Sequence, residues 1–157
     1  MTPILARVEE ADAIILGSPN YIGAPTCVMK AFLERLLYPY VVYDTIMSSI
    51  FKKKIPAGFI YTMSSSESWM KEMKYDLAPQ YIEGVMKMIF GSAESLVVNN
   101  IYQFEDYSKI VGTRFDPVEK ARIRAEQFPK DCEKAFDMGV RFSRQIIMND
   151  RKTDYRL

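Results

Sequence analysis

Short apolar runs without a polar face alternate along this chain with longer stretches in which apolar residues return every three or four positions. Ile4, Leu5 and Val8 have helical spacing, with Glu9 and Glu10 beside them, and Ala13 to Leu16 follows as a strand. Strands covered by helices on both sides read this way, whereas a half-exposed antiparallel strand alternates. The run stops in Gly17-Ser18-Pro19-Asn20-Tyr21-Ile22-Gly23-Ala24-Pro25, a loop by composition. A helix follows, with Val28, Ala31, Phe32, Leu36 and Leu37 on its buried side. Pro25 suits its first position, Lys30 and Glu34 pair on the wet side, and Pro39 ends it.

From Tyr38 to Lys54 the apolar residues Val41, Val42, Tyr43, Ile46, Met47, Ile50 and Phe51 keep no single period. The pattern leaves open a lid, a subunit-contact segment or a poorly patterned connection, and Lys52-Lys53-Lys54 reads as a solvated turn. Ala57 to Met63 is a second strand, ending in Ser64-Ser65-Ser66-Glu67-Ser68. The helical stretch Trp69 to Phe90 is expected to kink or split at Pro79 and to stop at Gly91. Ser95 to Gln103 is a third strand. After a loop with Asp106, Tyr107 and Gly112, a long helical pattern runs from Val118 to Ile146. Its small residues Ala121, Ala125, Ala135 and Gly139 predict close packing on a sheet, and Pro129 predicts a kink. The tail from Asp150 is polar and expected to fray.

The order α, β, α, β, α, β, α implies crossover connections and a parallel sheet, an α/β domain over 1–157. Open sheets of this kind bind ligands at the carboxyl ends of their strands. Only three strands are visible where a doubly wound domain has about five. A chain that begins inside an αβ unit is therefore expected to have further sequence ahead of Met1.

Charge and composition narrow the function. Among 157 residues, 21 are Lys or Arg and 20 are Asp or Glu, so no overall field draws in nucleic acid or an acidic membrane. No apolar run reaches the roughly 18 residues of a membrane span, and the amino terminus lacks a secretory signal's pattern. Histidine is absent, which removes the commonest general base and rules out Ser-His and Cys-His pairs built from this chain alone. Cys27 and Cys132 lie in neither a redox nor a zinc spacing and read as reduced, buried residues of a cytoplasmic protein.

Gly17-Ser18-Pro19-Asn20-Tyr21-Ile22-Gly23-Ala24-Pro25-Thr26, followed by Met29-Lys30-Ala31-Phe32-Leu33-Glu34-Arg35-Leu36, resembles the G-S-P-x-Y-x-G…K-x-F-x-D/E-R pattern of NAD(P)H-dependent FMN reductases. That family belongs to the flavodoxin-like superfamily and includes the iron-sulfur flavoproteins. Tyr102 to Tyr107 and Phe128 to Ala135 resemble the C-terminal part of one of its branches. The resemblance implies a flavodoxin-like doubly wound sheet of which this chain carries the later three strands. It implies FMN as cofactor, NAD(P)H as electron donor and an electron acceptor that is a small molecule or a protein. It places Ser18, Pro19, Asn20, Tyr21 and Gly23 against the flavin ring, with Thr62, Met63, Ser64 and Ser65 at its edge. Pro19 and Tyr21 can supply a flat wall, and a glycine-containing loop can present N–H groups to a polar edge. The serines also suit a plain helix cap, and both readings stand.

The family's phosphate loop, expected ahead of Met1, and its iron-sulfur cysteine cluster are not in this sequence. Without that loop, FMN affinity is expected to fall steeply and the inner face of the first strand to lie uncovered. Two alternatives to the reductase follow: a flavodoxin-like electron carrier, and a non-catalytic subunit kept for self-association as a dimer or tetramer. Cytoplasmic location is expected in all three.

Overall fold

The computed structural model describes residues 2–112 and 115–154, and Gly112 is followed by residues outside that description. It is an α/β fold with four strands in the order β2-β1-β3-β4 and six α-helices among the described residues. The elements are α1 (Thr2–Glu10), β1 (Ile14–Tyr21), β2 (Ala24–Pro25), α2 (Cys27–Leu37), β3 (Ile55–Thr62), α3 (Glu67–Glu72), α4 (Leu77–Phe90), β4 (Gly91–Val98), α5 (Pro117–Glu126) and α6 (Phe128–Asp154). β1 runs parallel to β3, and β3 parallel to β4, as the crossovers require.

Helices α1, α2 and α4 cover one face of the sheet. Val8, Leu33, Leu36, Ile82, Met86 and Ile89 close over Ala57, Phe59 and Tyr61 of β3. The Phe59 and Tyr61 rings stack 4.0 Å apart. β3 is buried along nearly its whole length, the behaviour of a strand covered on both faces. β1 departs from that expectation. Ile14 and Leu16 turn toward the core, but Ile15 is 47% exposed, because the helix on the opposite face, α6, lies over β3 and β4.

The packing of α6 also reverses the small-residue argument. Ala121 and Ala125 are exposed and nothing approaches Gly139. The close contact is made at Gly58 in β3, where a Cβ would stand 2.7 Å from Met138 Sδ and 3.1 Å from the Phe142 ring. Polar ties complete the contact with β4: Arg141 pairs with Glu94 at 2.9 Å and Gln145 donates to Ser92 at 2.8 Å. These polar positions hide the start of β4, which begins at Gly91 rather than Ser95 and ends at Val98 rather than Gln103.

Neither proline kinks a helix. The break before α4 falls at Met73 to Asp76, where Lys74 has φ +58, and Pro79 sits in the helix's first turn, where its missing N–H costs nothing. The break between α5 and α6 falls at Gln127, again just ahead of a first-turn proline, Pro129. Gly91 ends α4 with φ +99, as expected. The buried side of α2 is Leu33, Leu36 and Leu37, while Val28 is 76% exposed and Ala31 is exposed. Thr26 caps it, accepting from Met29 N, and Pro25 lies in β2 rather than at the helix's first position, which is Cys27. Both cysteines are exposed, against expectation, each on the outer side of its helix. α6 continues through Asp154 where fraying from Asp150 was expected, and residues 155–157 lie outside the described residues.

The unpatterned stretch after α2 is a closed strap. Tyr38–Tyr40 forms a 3-10 turn, Val42 N donates to Ser48 O, and Ile50 N donates to Tyr40 O. Tyr40 and Phe51 anchor it in the core, their rings edge to face at 5.0 Å. Lys53 then reaches Glu10 O at 2.7 Å at the C-terminal end of α1. No helix among the described residues is long and apolar enough to cross a membrane.

Candidate functional site

The candidate segments meet at the carboxyl ends of β1 and β3. Ser18 lies opposite Tyr61, and Pro19 opposite Thr62, so the two segments leave adjacent strands side by side. The first is not a loop. β1 continues to Tyr21, turns through Ile22 and Gly23, and pairs back as β2, with Tyr21 opposite Ala24 and Asn20 opposite Pro25. Both turn residues have positive φ, Ile22 at +54 and Gly23 at +77, the signature of a type I′ hairpin. Pro25 is tolerated because β2 is the edge of the sheet.

The strand's alternation divides the predicted residues between two faces. Ser18 and Asn20 point inward, 6% and 8% exposed. The Ser18 hydroxyl accepts from Thr26 N at 3.2 Å, tying the hairpin to the start of α2. Both polar atoms of the Asn20 carboxamide are buried with no partner among the described residues. Pro19 and Tyr21 point outward and are exposed, Tyr21 by 58%. Gly23 is required twice over: its φ is positive, and a Cβ there would stand 2.6 Å from the Tyr75 ring, on which the turn rests.

The second segment is anchored at one residue and open at the next two. Met63 is buried, donates its N–H to Val98 O at 2.9 Å, and accepts from Ile101 N at 3.1 Å. Thr62, Ser64 and Ser65 are part-exposed. The N–H groups of Ser64 and Ser65 have no acceptor among the described residues. Ser66 caps α3, accepting from Trp69 N, so the helix-cap reading of the serines holds at that position. Burial and the nearby Glu83 carboxylate push the Tyr61 phenol's pKa well above its ordinary value, so it is a neutral group in the core, on the strand residue opposite Ser18.

Against this geometry, a sequence model of NADPH-dependent FMN reductases matches residues 1–103. The chain belongs to this family. No curated protein matches it. The matched span contains the hairpin, both site segments and every strand of the sheet, and the parallel order β1-β3-β4 is compatible with a flavodoxin-like fold. FMN and a nicotinamide donor are thereby the family's general chemistry for this chain.

Two residues near the candidate site escape a sequence reading. Lys120 of α5 is only 4% exposed and reaches back to Ser64 O at 2.6 Å. Its one signal was a lysine within a helical pattern, which is ordinarily solvated. Tyr75, under the hairpin turn, sits in a stretch that reads as helix and is a turn.

Proposed function

We propose that this chain is an FMN-dependent oxidoreductase that takes hydride from NAD(P)H and passes two electrons to a small-molecule or protein acceptor, with the flavin ring held between the β1–β2 hairpin and Thr62 to Ser65. The observation that carries the reading is the register of β1 on β3, which sets Pro19 opposite Thr62, so that the segment with the exposed Pro19 and Tyr21 and the segment with the unpaired Ser64 and Ser65 N–H groups leave neighbouring strand ends. Family membership gives the chemistry; the placement of the ring is supported by that juxtaposition.

The residues fit the group. Pro19 and Tyr21 face solvent near Gly23 and can supply a flat apolar wall, and Ser64 and Ser65 offer N–H groups with no acceptor among the described residues. Asn20, on the inner face of the strand behind that wall, carries a donor and an acceptor unmatched among the described residues, at a cost of about 1–3 kcal/mol for such a buried group. FMN, when bound, supplies the two-electron chemistry. The protein's part is to orient the ring, exclude water from one side of it and set its hydrogen bonding. No acid or base side chain is needed for hydride transfer, which suits a chain without histidine.

The dimer or tetramer belongs to the same proposal. It is supported by the uncovered Ile15 flank of β1 and by the exposed Tyr38, Tyr43, Ile46 and Tyr81 beside α2 and α4. Cytoplasmic location goes with a donor that is itself soluble. The decisive experiment is anaerobic: protein supplied with FMN shows visible flavin absorption that bleaches on adding NADPH or NADH. Failure to retain FMN contradicts the reading. Retained FMN that only another protein can reduce favours the carrier.

A further inference from the structure

The Ser64–Ser65 peptide is held from its carbonyl side by a buried cation. Lys120 Nζ donates to Ser64 O at 2.6 Å, to Asn100 Oδ1 at 2.5 Å and to Ile101 O at 3.5 Å, which uses all three ammonium protons. Its ammonium also lies 5.2 Å from the centre of the Phe115 ring. Among the described residues no carboxylate pairs with it. Glu72, Asp116 and Glu119 face the same cavity, but Asp116 is engaged as the cap of α5 and Glu119 by Arg122 at 2.8 Å. An uncompensated charge this buried is costly, and burial pushes the ammonium's pKa below its ordinary value.

Around Lys120 the ends of β3 and β4 are laced together. Met63 N donates to Val98 O, Ile101 N to Met63 O, and Asn100 N to Ser65 O at 2.9 Å. Asn100 makes the turn with φ +59. Every peptide bond described is trans, and in a trans peptide the C=O and N–H point opposite ways. A cation on Ser64 O therefore leaves the Ser65 N–H directed away from itself. It also polarises that N–H as a donor, since hydrogen bonds through one peptide strengthen each other.

We propose that Lys120 is a positioning residue of the reductase site, clamping the Ser64–Ser65 peptide and polarising its N–H so that the site binds reduced FMN, the more electron-rich form, more tightly than oxidised FMN. The proposal rests on the flavin reading above for its ligand and on the hydrogen bonds alone for its clamp. It assigns a function to a buried charge that the fold gives no carboxylate.

Two variants separate the parts. Lys120→Met removes both clamp and charge. Asn100→Asp keeps an acceptor on Lys120 but adds a neutralising carboxylate, and Asp tolerates the positive φ. Hydrogen exchange of the Met63, Asn100 and Ile101 amides, measured without cofactor, reads the clamp: protection drops in Lys120→Met and holds in Asn100→Asp. Potentiometric titration of the FMN-loaded proteins reads the polarisation. The preference for reduced over oxidised FMN falls about tenfold in both variants, a drop of about 30 mV for a two-electron couple. Unchanged exchange in Lys120→Met overturns the clamp, and an unchanged potential in Asn100→Asp overturns the polarisation. If the unaltered chain takes up no FMN, the reductase reading fails and the polarisation with it, while exchange still decides the clamp.

Discussion

Ile22 occupies a conformation that its side chain resists. Its φ is +54, its side chain is branched at Cβ, and it is 94% exposed, so no burial offsets the strain. A left-handed conformation costs such a residue about 1–2 kcal/mol, and type I′ turns select Asn or Gly there. Ile22→Asn is therefore expected to raise stability by about 1 kcal/mol in urea unfolding. No gain would mean that Ile22 makes a compensating contact. Backbone strain of this kind gathers at functional positions, and Ile22 stands between Tyr21 and Gly23. The sequence showed which residues stand here. It did not show that Ser18 and Asn20 turn inward while Pro19 and Tyr21 turn outward, because composition marked the segment as loop, where no alternation is expected.

At the scale of elements, what was legible depended on how each one is buried. β3, covered on both faces, shows as an apolar run whose expected span, Ala57 to Met63, starts two residues late and ends one residue late against Ile55–Thr62. β4 carries Ser92 and Glu94 for α6, so the apolar pattern marks the strand only from Ser95 and leaves its first half between the helix stop and the strand. The strap between α2 and β3 has no period because it is held by single anchors. One of them is the Tyr40 hydroxyl, which donates to Glu9 of α1 at 3.0 Å. Burial first, and then the bond to Glu9, push that phenol's pKa up from 10.0 to about 12. The stabilisation is complete below pH 10 and is lost as pH rises through 12, because the unfolded chain ionises first. Urea midpoints are expected to fall over that window, and Tyr40→Phe to flatten the fall. Tyr61, shifted the same way, leaves part of it. Identical slopes in the two proteins would contradict the anchor.

For the whole molecule, the alternation of short apolar runs and helical stretches was enough to give an α/β fold with a parallel sheet. It could not give the coverage of that sheet, since Ile15 looks the same in sequence whether or not a helix lies over it. The flank of β1 beyond β3 pairs only at Asn20 and Tyr21, with β2, leaving the edge from Ile14 to Pro19 without a strand partner among the described residues. The candidate site lies at the end of this same strand. Ligand uptake and the state of that edge are therefore expected to be linked, since both depend on how β1 is held. Lys120 belongs to this scale as well: it brings a helix near the C-terminal end of the chain to bear on the loop after β3, a link across 56 positions that no local pattern announces.

The central claim is that the hairpin and the loop after β3 form one flavin site. Amide chemical shifts of the isotope-labelled chain, followed as FMN is added, test it most directly. The account predicts shifts concentrated at Ser18, Asn20 to Gly23 and Thr62 to Ser65, with smaller changes at Asn100 and Ile101 behind the loop. Shifts confined to other surfaces, such as the groove between α2 and α4, or none at saturating FMN, would contradict it.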